Sequence, residues 1–442
     1  MKSIFNAKFN IVTILAMALF CLTACSTKEK TAEIIVTEPT VITVNSDRGD
    51  YALAYTEEEA EEPEEPEVQD RDFLYDAYNK EYSRDTADPD KVVLRFVGDI
   101  CFYDDFSLMS EYRNRGEDIN KCIDASLLEY MRSADLFMAN NEFAYSDRGA
   151  PIEGKKYAFR SKPSNVSILN DMGVDIVSLA NNHAYDWGPD ALSDTVDTLN
   201  SARVPFVGAG KDITEAMRPA YFYMPNVKIS YVSATQIERL GNPDTKEATE
   251  TSPGVLRTLD PTKACQVIAE AKANSDFCIM YVHWGSENTD LVEASQRELA
   301  KKYVEAGCDL IIGDHSHCLQ GVDFIDDVPV FYSLGNYWFN SKTVDTGIAE
   351  IVLDNNASIE NIRFIPAIQR GCSTHEVDAT DSERILSYLQ GISDYAEIDT
   401  VTGEIRKSDS NHNTQGGMNT SPTKKVEEEA TAPAEDVAKG DQ

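Results

Sequence analysis

Four of the six histidines in this 442-residue chain stand in short polar clusters, each placed where an apolar run stops. They are His183 in Asn181-Asn182-His183, His283 in His283-Trp284-Gly285, and His315 with His317 in Gly313-Asp314-His315-Ser316-His317. Asp99, just past Val92–Val97, and Glu142, just past Ala134–Ala139, occupy the same kind of position. Burying Asn and His without partners costs about 1–3 kcal/mol per unsatisfied group, so their concentration at strand ends points to a ligand. Imidazole, amide and carboxylate donors without thiolate suit Mn, Zn or Fe. One such ion would polarise a phosphoryl or acyl oxygen and activate a bound water, and two would clamp the attacking and leaving oxygens. The bland alternative is that these groups only hydrogen-bond one another and brace loops.

The elements that must carry these groups are strands alternating with helices, the pattern of an α/β fold. Apolar runs predict strands over Val92–Val97, Ala134–Ala139, Val174–Leu179, Val227–Ser233, Phe277–Val282, Asp309–Ile312 and Val328–Leu334. Near-continuous apolar strands are expected where both faces of a sheet are covered. Helical spacing over Pro163–Met172, Pro261–Ala273 and Ser295–Ala306 supplies the cover, with Gly173 and Gly307 as C-terminal caps. Gly347–Leu353 and Ile359–Ile365 alternate and are expected to close a sheet edge, and Phe73–Tyr82 reads as one or two helical turns. Ligand sites in such folds lie at the carboxyl ends of strands, where the polar clusters fall.

The formal net charge is -36, with acids concentrated in Glu57–Glu67 and again at Glu427–Glu429. Such segments bury too little apolar surface to fold. An acidic chain also argues against nucleic acid as a partner, and its positive charge reads as sparse and scattered. Lys2 and Lys8 precede an apolar stretch, Ile11–Leu22, which ends in Leu22-Thr23-Ala24-Cys25. That is the form of a bacterial lipoprotein signal, with Cys25 as the lipidated residue. The expected organisation is therefore a signal peptide over 1–25, an acidic tether over 26–88, one catalytic-type domain over 89–372, a short helical extension over 373–406 and a disordered tail over 407–442. The expected place is the extracellular face of a bacterial cell membrane. The seven cysteines beyond the signal are odd in number and contain no CxxC pair, which does not suit a disulfide framework.

Asn141-Glu142, SLANNHAYDWG, VGAG, HWGSE, GCDLIIGDHSHCLQGV and FYSLGNYWF occur in that order between Val92 and Ile365. Together they resemble the CapA family of poly-gamma-glutamate capsule proteins, similar in fold to calcineurin-like metallophosphoesterases. The resemblance implies a four-layer α/β/β/α sandwich, a divalent metal site and a role in synthesis or export of poly-gamma-glutamate. Synthase components or an anionic polymer are the implied partners. It implies Asp99, Glu142, Asn182, His283, His315 and His317 as metal ligands and His183 as the residue that protonates a leaving group. Asn181, Trp284 and Asn336 are assigned to substrate binding, although Asn181 also suits bracing of its turn and the tryptophans suit core filling. Cys101 stands where the phosphoesterases have a His, no Gly-Asp-x-x-Asp follows the second strand, and Asp314 separates Gly313 from His315. These departures imply one ion or a weakly held pair. The competing expectation is a non-catalytic polymer-binding or structural surface protein with a degenerate site.

Overall fold

The computed structural model describes residues 74–237 and 245–414. The expected signal peptide with Cys25, the Glu57–Glu67 run and the tail beyond residue 414 lie outside the described residues. Two eight-stranded mixed sheets dominate the fold. The first runs Tyr75–Asp76, Glu81–Ser83, Ala220–Tyr223, Lys228–Thr235, Phe277–His283, Leu310–Asp314, Val328–Phe331 and Val322–Ile325. The second runs Ser373–Glu376, Ile359–Arg370, Val344–Asp354, Lys91–Ile100, Leu136–Asn141, Ile176–Ser178 and Phe206–Val207. Asn336–Trp338 adds to it beside Lys91–Ile100.

Strand alternation explains the layers. Along Phe277–His283, Phe277, Ile279 and Tyr281 point into the core between the sheets, while Cys278, Met280 and Val282 point to an outer core. Helices Thr262–Ala273 and Ala294–Ala306 cover that outer face with Val267, Ile268, Leu299 and Tyr303. Along Lys91–Ile100, Leu94 and Phe96 face the inter-sheet core and Val97 and Ile100 face a third core. That third core is closed by Ala125–Arg132, Ser167–Met172 and Gly188–Ser201 through residues such as Leu128, Leu169 and Leu192. The result is the expected metallophosphoesterase-like α/β/β/α sandwich.

Three expectations are corrected. Phe73–Tyr82 is not helical in its described part: Tyr75–Asp76 and Glu81–Ser83 form a hairpin, and Glu81–Ser83 pairs parallel to Ala220–Tyr223. The folded unit thus begins before residue 89. Val344–Asp354 is not an edge, because it lies between Lys91–Ile100 and Ile359–Arg370. The 373–406 segment is not a separate extension. Ser373–Glu376 pairs with Ile359–Arg370, and Ile385 and Leu389 of helix Ala379–Ile392 enter the inter-sheet core cluster. Residues 408–414 also bond back, with His412 N donating to Asp394 O at 2.7 Å and Thr414 N to Gly391 O at 3.0 Å.

Candidate metal centre

Strand register brings the polar clusters into one place. In the second sheet Asp99 lies beside Asn140 on one side and Asn336 on the other. In the first sheet His283 lies beside Asp314 and Thr235. The two rows meet at the carboxyl edges of both sheets. Close approach there requires Gly98, since a Cβ at that position would sit 1.9 Å from the carbonyl oxygen of Gly335. The turn after Leu310–Asp314 holds His315 at φ 98° and His317 at φ 58°. Non-glycine residues in that region cost on the order of 1–3 kcal/mol each and cluster at functional sites.

Two groups of donors result, Glu142 with His283 and His315, and Asp99 with Glu142 and His317. Glu142 belongs to both. Within the first group, His283 Nε2 is 3.0 Å from His315 Nδ1 and 3.5 Å from Glu142 Oε1. Asn182 Oδ1 joins it, 2.7 Å from the same Nε2. In the second group His317 Nδ1 lies 3.3 Å from Asp99 Oδ2, and Asn336 Oδ1 lies 2.9 Å from that nitrogen.

The donors fit a divalent cation. Both oxygens of Glu142 are buried with no hydrogen-bond partner, and so is Asp314 Oδ1. Leaving buried carboxylate oxygens uncompensated costs several kcal/mol, which a dication removes. Nε2 of His283 also lies within bonding distance of both Asn182 Oδ1 and His315 Nδ1, and it can donate to or accept from only one of them. Four ligands about 2.1 Å from a tetrahedral ion lie roughly 3.4 Å apart, close to the separations seen. Cys101 is in neither donor group. It is buried in the third core, where burial pushes its thiol well up.

Electrostatics follow from burial and mutual proximity. Burial, then the Asp99 charge, holds the Glu142 carboxyl well above the usual carboxylate range. Burial raises Asp99 too, but the hydrogen bond from His317 and the charges of His283 and His317 leave it lowered overall. His283 is pushed down by burial to about 3, against the pull of Asp99, and His315 is pushed well down by burial and by His283. His317 moves the other way: burial lowers it, and its bond to Asp99 more than offsets that.

Beside the donors stands a dyad. His183 Nδ1 is 2.6 Å from Asp186 Oδ2, and His183 Nε2 faces Glu142 Oε1 at 3.8 Å. Phe159 N donates to the same Asp186 oxygen at 2.7 Å, and Lys155 Nζ bonds the other oxygen and the carbonyl of Asn182. The Phe159 ring stacks on His183 at 4.1 Å. No periodicity or spacing in the sequence marks Lys155, Phe159 or Asp186 for this site. The only available signal was the DWG that follows the histidine.

The three residues assigned to substrate binding each make bonds within the protein. Asn181 is fully buried, donates to Asn140 Oδ1 and Asn141 O, and accepts from His183 N. It braces the turn. Trp284 is fully buried in the outer core, donates to Tyr332 O at 2.8 Å and stacks near Tyr303 and Tyr332. Asn336 is 2 % exposed and orients His317.

A family model described as bacterial capsule synthesis protein PGA_cap matches residues 93–341. The chain is 29% identical over 288 residues to PGA biosynthesis protein CapA of Bacillus subtilis (strain 168), covering 62% of this chain and 70% of that protein. It is 27% identical over 320 residues to capsule biosynthesis protein CapA of Bacillus anthracis, covering 68% of this chain and 73% of that protein. Among solved structures, the sulfate thiohydrolase SoxB of Thermus thermophilus is 14% identical with a TM-score of 0.33, covering 59% of this chain and 42% of that one.

Proposed function

The chain belongs to the bacterial capsule synthesis protein PGA_cap family, and on that premise we propose that it serves poly-gamma-glutamate synthesis or export as a metal-dependent hydrolase. We place it on the outer face of the cell membrane, held by lipid on Cys25. The reading of partners rests on relatives whose names tie them to PGA and capsule biosynthesis. The reading of chemistry rests on one observation: buried Asp99 and Glu142 converge with His283, His315 and His317, and both oxygens of Glu142 lack a hydrogen-bond partner.

A bound divalent ion would supply Lewis-acid polarisation of a phosphoryl or acyl oxygen and a water of lowered pKa. Asp99, Glu142, Asn182, His283, His315 and His317 would hold it, with Glu142 common to both donor groups. Asp186 fixes the His183 ring through Nδ1 and leaves Nε2 as the atom that takes up or gives a proton. The carboxylate of Asp186 stabilises the imidazolium form, while burial favours the neutral ring and prevails, lowering His183 overall. Phe159 packs over the ring and keeps water from that side.

The test is hydrolysis by metal-loaded protein of bis-p-nitrophenyl phosphate and of poly-gamma-glutamate, alongside His183→Ala. Turnover of either substrate that falls about 10²–10⁴-fold in the variant, with metal retained, is the expected result. No turnover of either by the metal-loaded chain would remove the hydrolase reading.

A further inference from the structure

Positive charge in this acidic chain is not evenly scattered. Residues 148–162 (RGAPIEGKKYAFRSK) carry Arg148, Lys155, Lys156, Arg160 and Lys162 against a single acid, Glu153, in a chain of net charge -36. The segment is fastened to the candidate centre. Lys155 bonds Asp186 and the Asn182 carbonyl, Phe159 stacks on His183, and a Cβ at Gly149 would sit 2.1 Å from the carbonyl oxygen of Trp187. Lys156 and Arg160 therefore each lie one residue from a side chain that touches the dyad.

The five cations divide by what they meet. Lys155 is spent on Asp186 and Arg148 on Asp194. The side chains of Lys156, Arg160 and Lys162 form no ion pair among the described residues, although Lys162 N donates to Asp104 Oδ2 at 2.9 Å and Arg160 Nη1 donates to Arg148 O at 3.2 Å. Lys156 and Lys162 are exposed, and the Arg160 guanidinium lies over the Trp187 ring at 3.7 Å. Lys156 Nζ sits 4.8 Å over the ring of Tyr157, which is itself 55% exposed. One segment thus carries three cations without ion-pair partners, two of them exposed and two lying over aromatic rings. They suit a flexible chain that repeats a single negative charge and has methylene and amide surface to lay on the rings.

We propose that Lys156, Tyr157, Arg160 and Lys162 form a docking strip for a polycarboxylate chain, leading it past the His183–Asp186 dyad. This deepens the reading of the chain as a component of polyglutamate handling and rests on it for the identity of the polymer. A nucleic acid is the less suited occupant, because its denser phosphate charge meets the repulsion of the surrounding acids.

The test is equilibrium binding of fluorescently labelled poly-gamma-glutamate, poly-alpha-glutamate and a single-stranded oligonucleotide to the metal-loaded chain. The variants are Lys156→Glu/Lys162→Glu and, separately, Arg160→Gln, with the metal content of every preparation measured. The glutamate polymers are expected to bind more tightly than the oligonucleotide, to weaken as salt is raised, and to lose at least fivefold in affinity in the double variant with metal retained. Arg160→Gln should lose about twofold or more. Equal binding to wild type and both variants would overturn the proposal, as would an oligonucleotide that binds as tightly as the polymers. A wild-type chain that binds polymer through these residues yet holds no metal would sustain the strip and sink the hydrolase reading.

Discussion

Arg95 and Asp99 sit four residues apart on the same strand and both are buried, yet their surroundings differ in kind. Arg95 is paired with Glu350, Nε to Oε2 at 2.9 Å and Nη2 to Oε2 at 2.8 Å. Tyr130 OH donates to that same oxygen at 2.5 Å, Arg95 Nη1 donates to Ser133 Oγ at 2.7 Å, and the guanidinium lies 3.6 Å over the Tyr130 ring. Every strong demand of that ion pair is met by the chain itself. Around Asp99, the nearby carboxylate is Glu142, whose two oxygens meet no donor. The first arrangement is a finished structural pair, and the second has the form of a centre held open for a cation.

Removing one partner should therefore have opposite consequences at the two places. Arg95→Met leaves Glu350 buried without its guanidinium partner, holding only the Tyr130 hydroxyl and Arg363 at 4.0 Å, and urea unfolding should show a loss of about 3 kcal/mol. Glu142→Gln should leave the chelator-treated protein as stable as wild type or more so, because it removes a carboxylate that nothing satisfies. A comparable loss in both variants would erase the distinction.

Addition of a divalent cation sharpens the same contrast. At about 100 times its dissociation constant, Mn or Zn should stabilise the chelator-treated chain by roughly 2.7 kcal/mol. His283→Ala should abolish that gain, and Arg95→Met, where it folds, should keep it. Thermal unfolding with and without metal reads the difference.

Lys80 is an intermediate case. It is fully buried, donates to the carbonyl of Glu215 at 3.1 Å and lies 4.2 Å from the Phe206 ring centroid, a partial satisfaction. Burial, opposed by the Glu215 charge, lowers its ammonium from 10.5 to about 7. With the folded value below the unfolded one, the unfolded chain binds more protons between those limits, so stability rises with pH there. The contribution is fully present above 10.5 and is lost as pH falls through about 7. Unfolding measured at pH 7.5 and pH 9 should differ by about 1–2 kcal/mol from this group, and Lys80→Met should remove that difference. An unchanged slope in the variant would assign the pH dependence elsewhere.

The smallest expected effect is at Cys101. Cys101→Ser, in the apolar third core, should lower stability by about 1–2 kcal/mol and leave metal binding unchanged. A loss of metal in that variant would make the thiol a ligand after all.

Much of this contrast was legible in the sequence, for a definable reason. Apolar runs such as Phe277–Val282 end abruptly in His283, and burial on both faces is what makes such a run continuous. The strand ends, and with them Asp99, Glu142, His183, His283, His315 and His317, follow from that one feature. What was missed depends on partners distant in sequence or on very short elements. Tyr75–Asp76 and Glu81–Ser83 are too short to show a period, and Glu81–Ser83 gains its place by pairing with Ala220–Tyr223. Lys155 is defined by Asp186, which no periodicity connects to it. Trp284, just after His283, suits either substrate binding or core filling in the sequence, and the structure shows it in a core. Alternation at the strand end sends it to the outer core with Tyr303 and Tyr332.

The central claim is that Glu142, whose two oxygens meet no protein donor, is held beside Asp99 for a divalent cation. Calorimetric titration of Mn or Zn into the chelator-treated chain tests it most directly, with Glu142→Gln as the comparison because Glu142 is common to both donor groups. Saturable binding of one or two equivalents by wild type, lost in Glu142→Gln while the variant keeps its fold, is the predicted result. Absence of binding by the wild-type chain, or binding unchanged in Glu142→Gln, would contradict it.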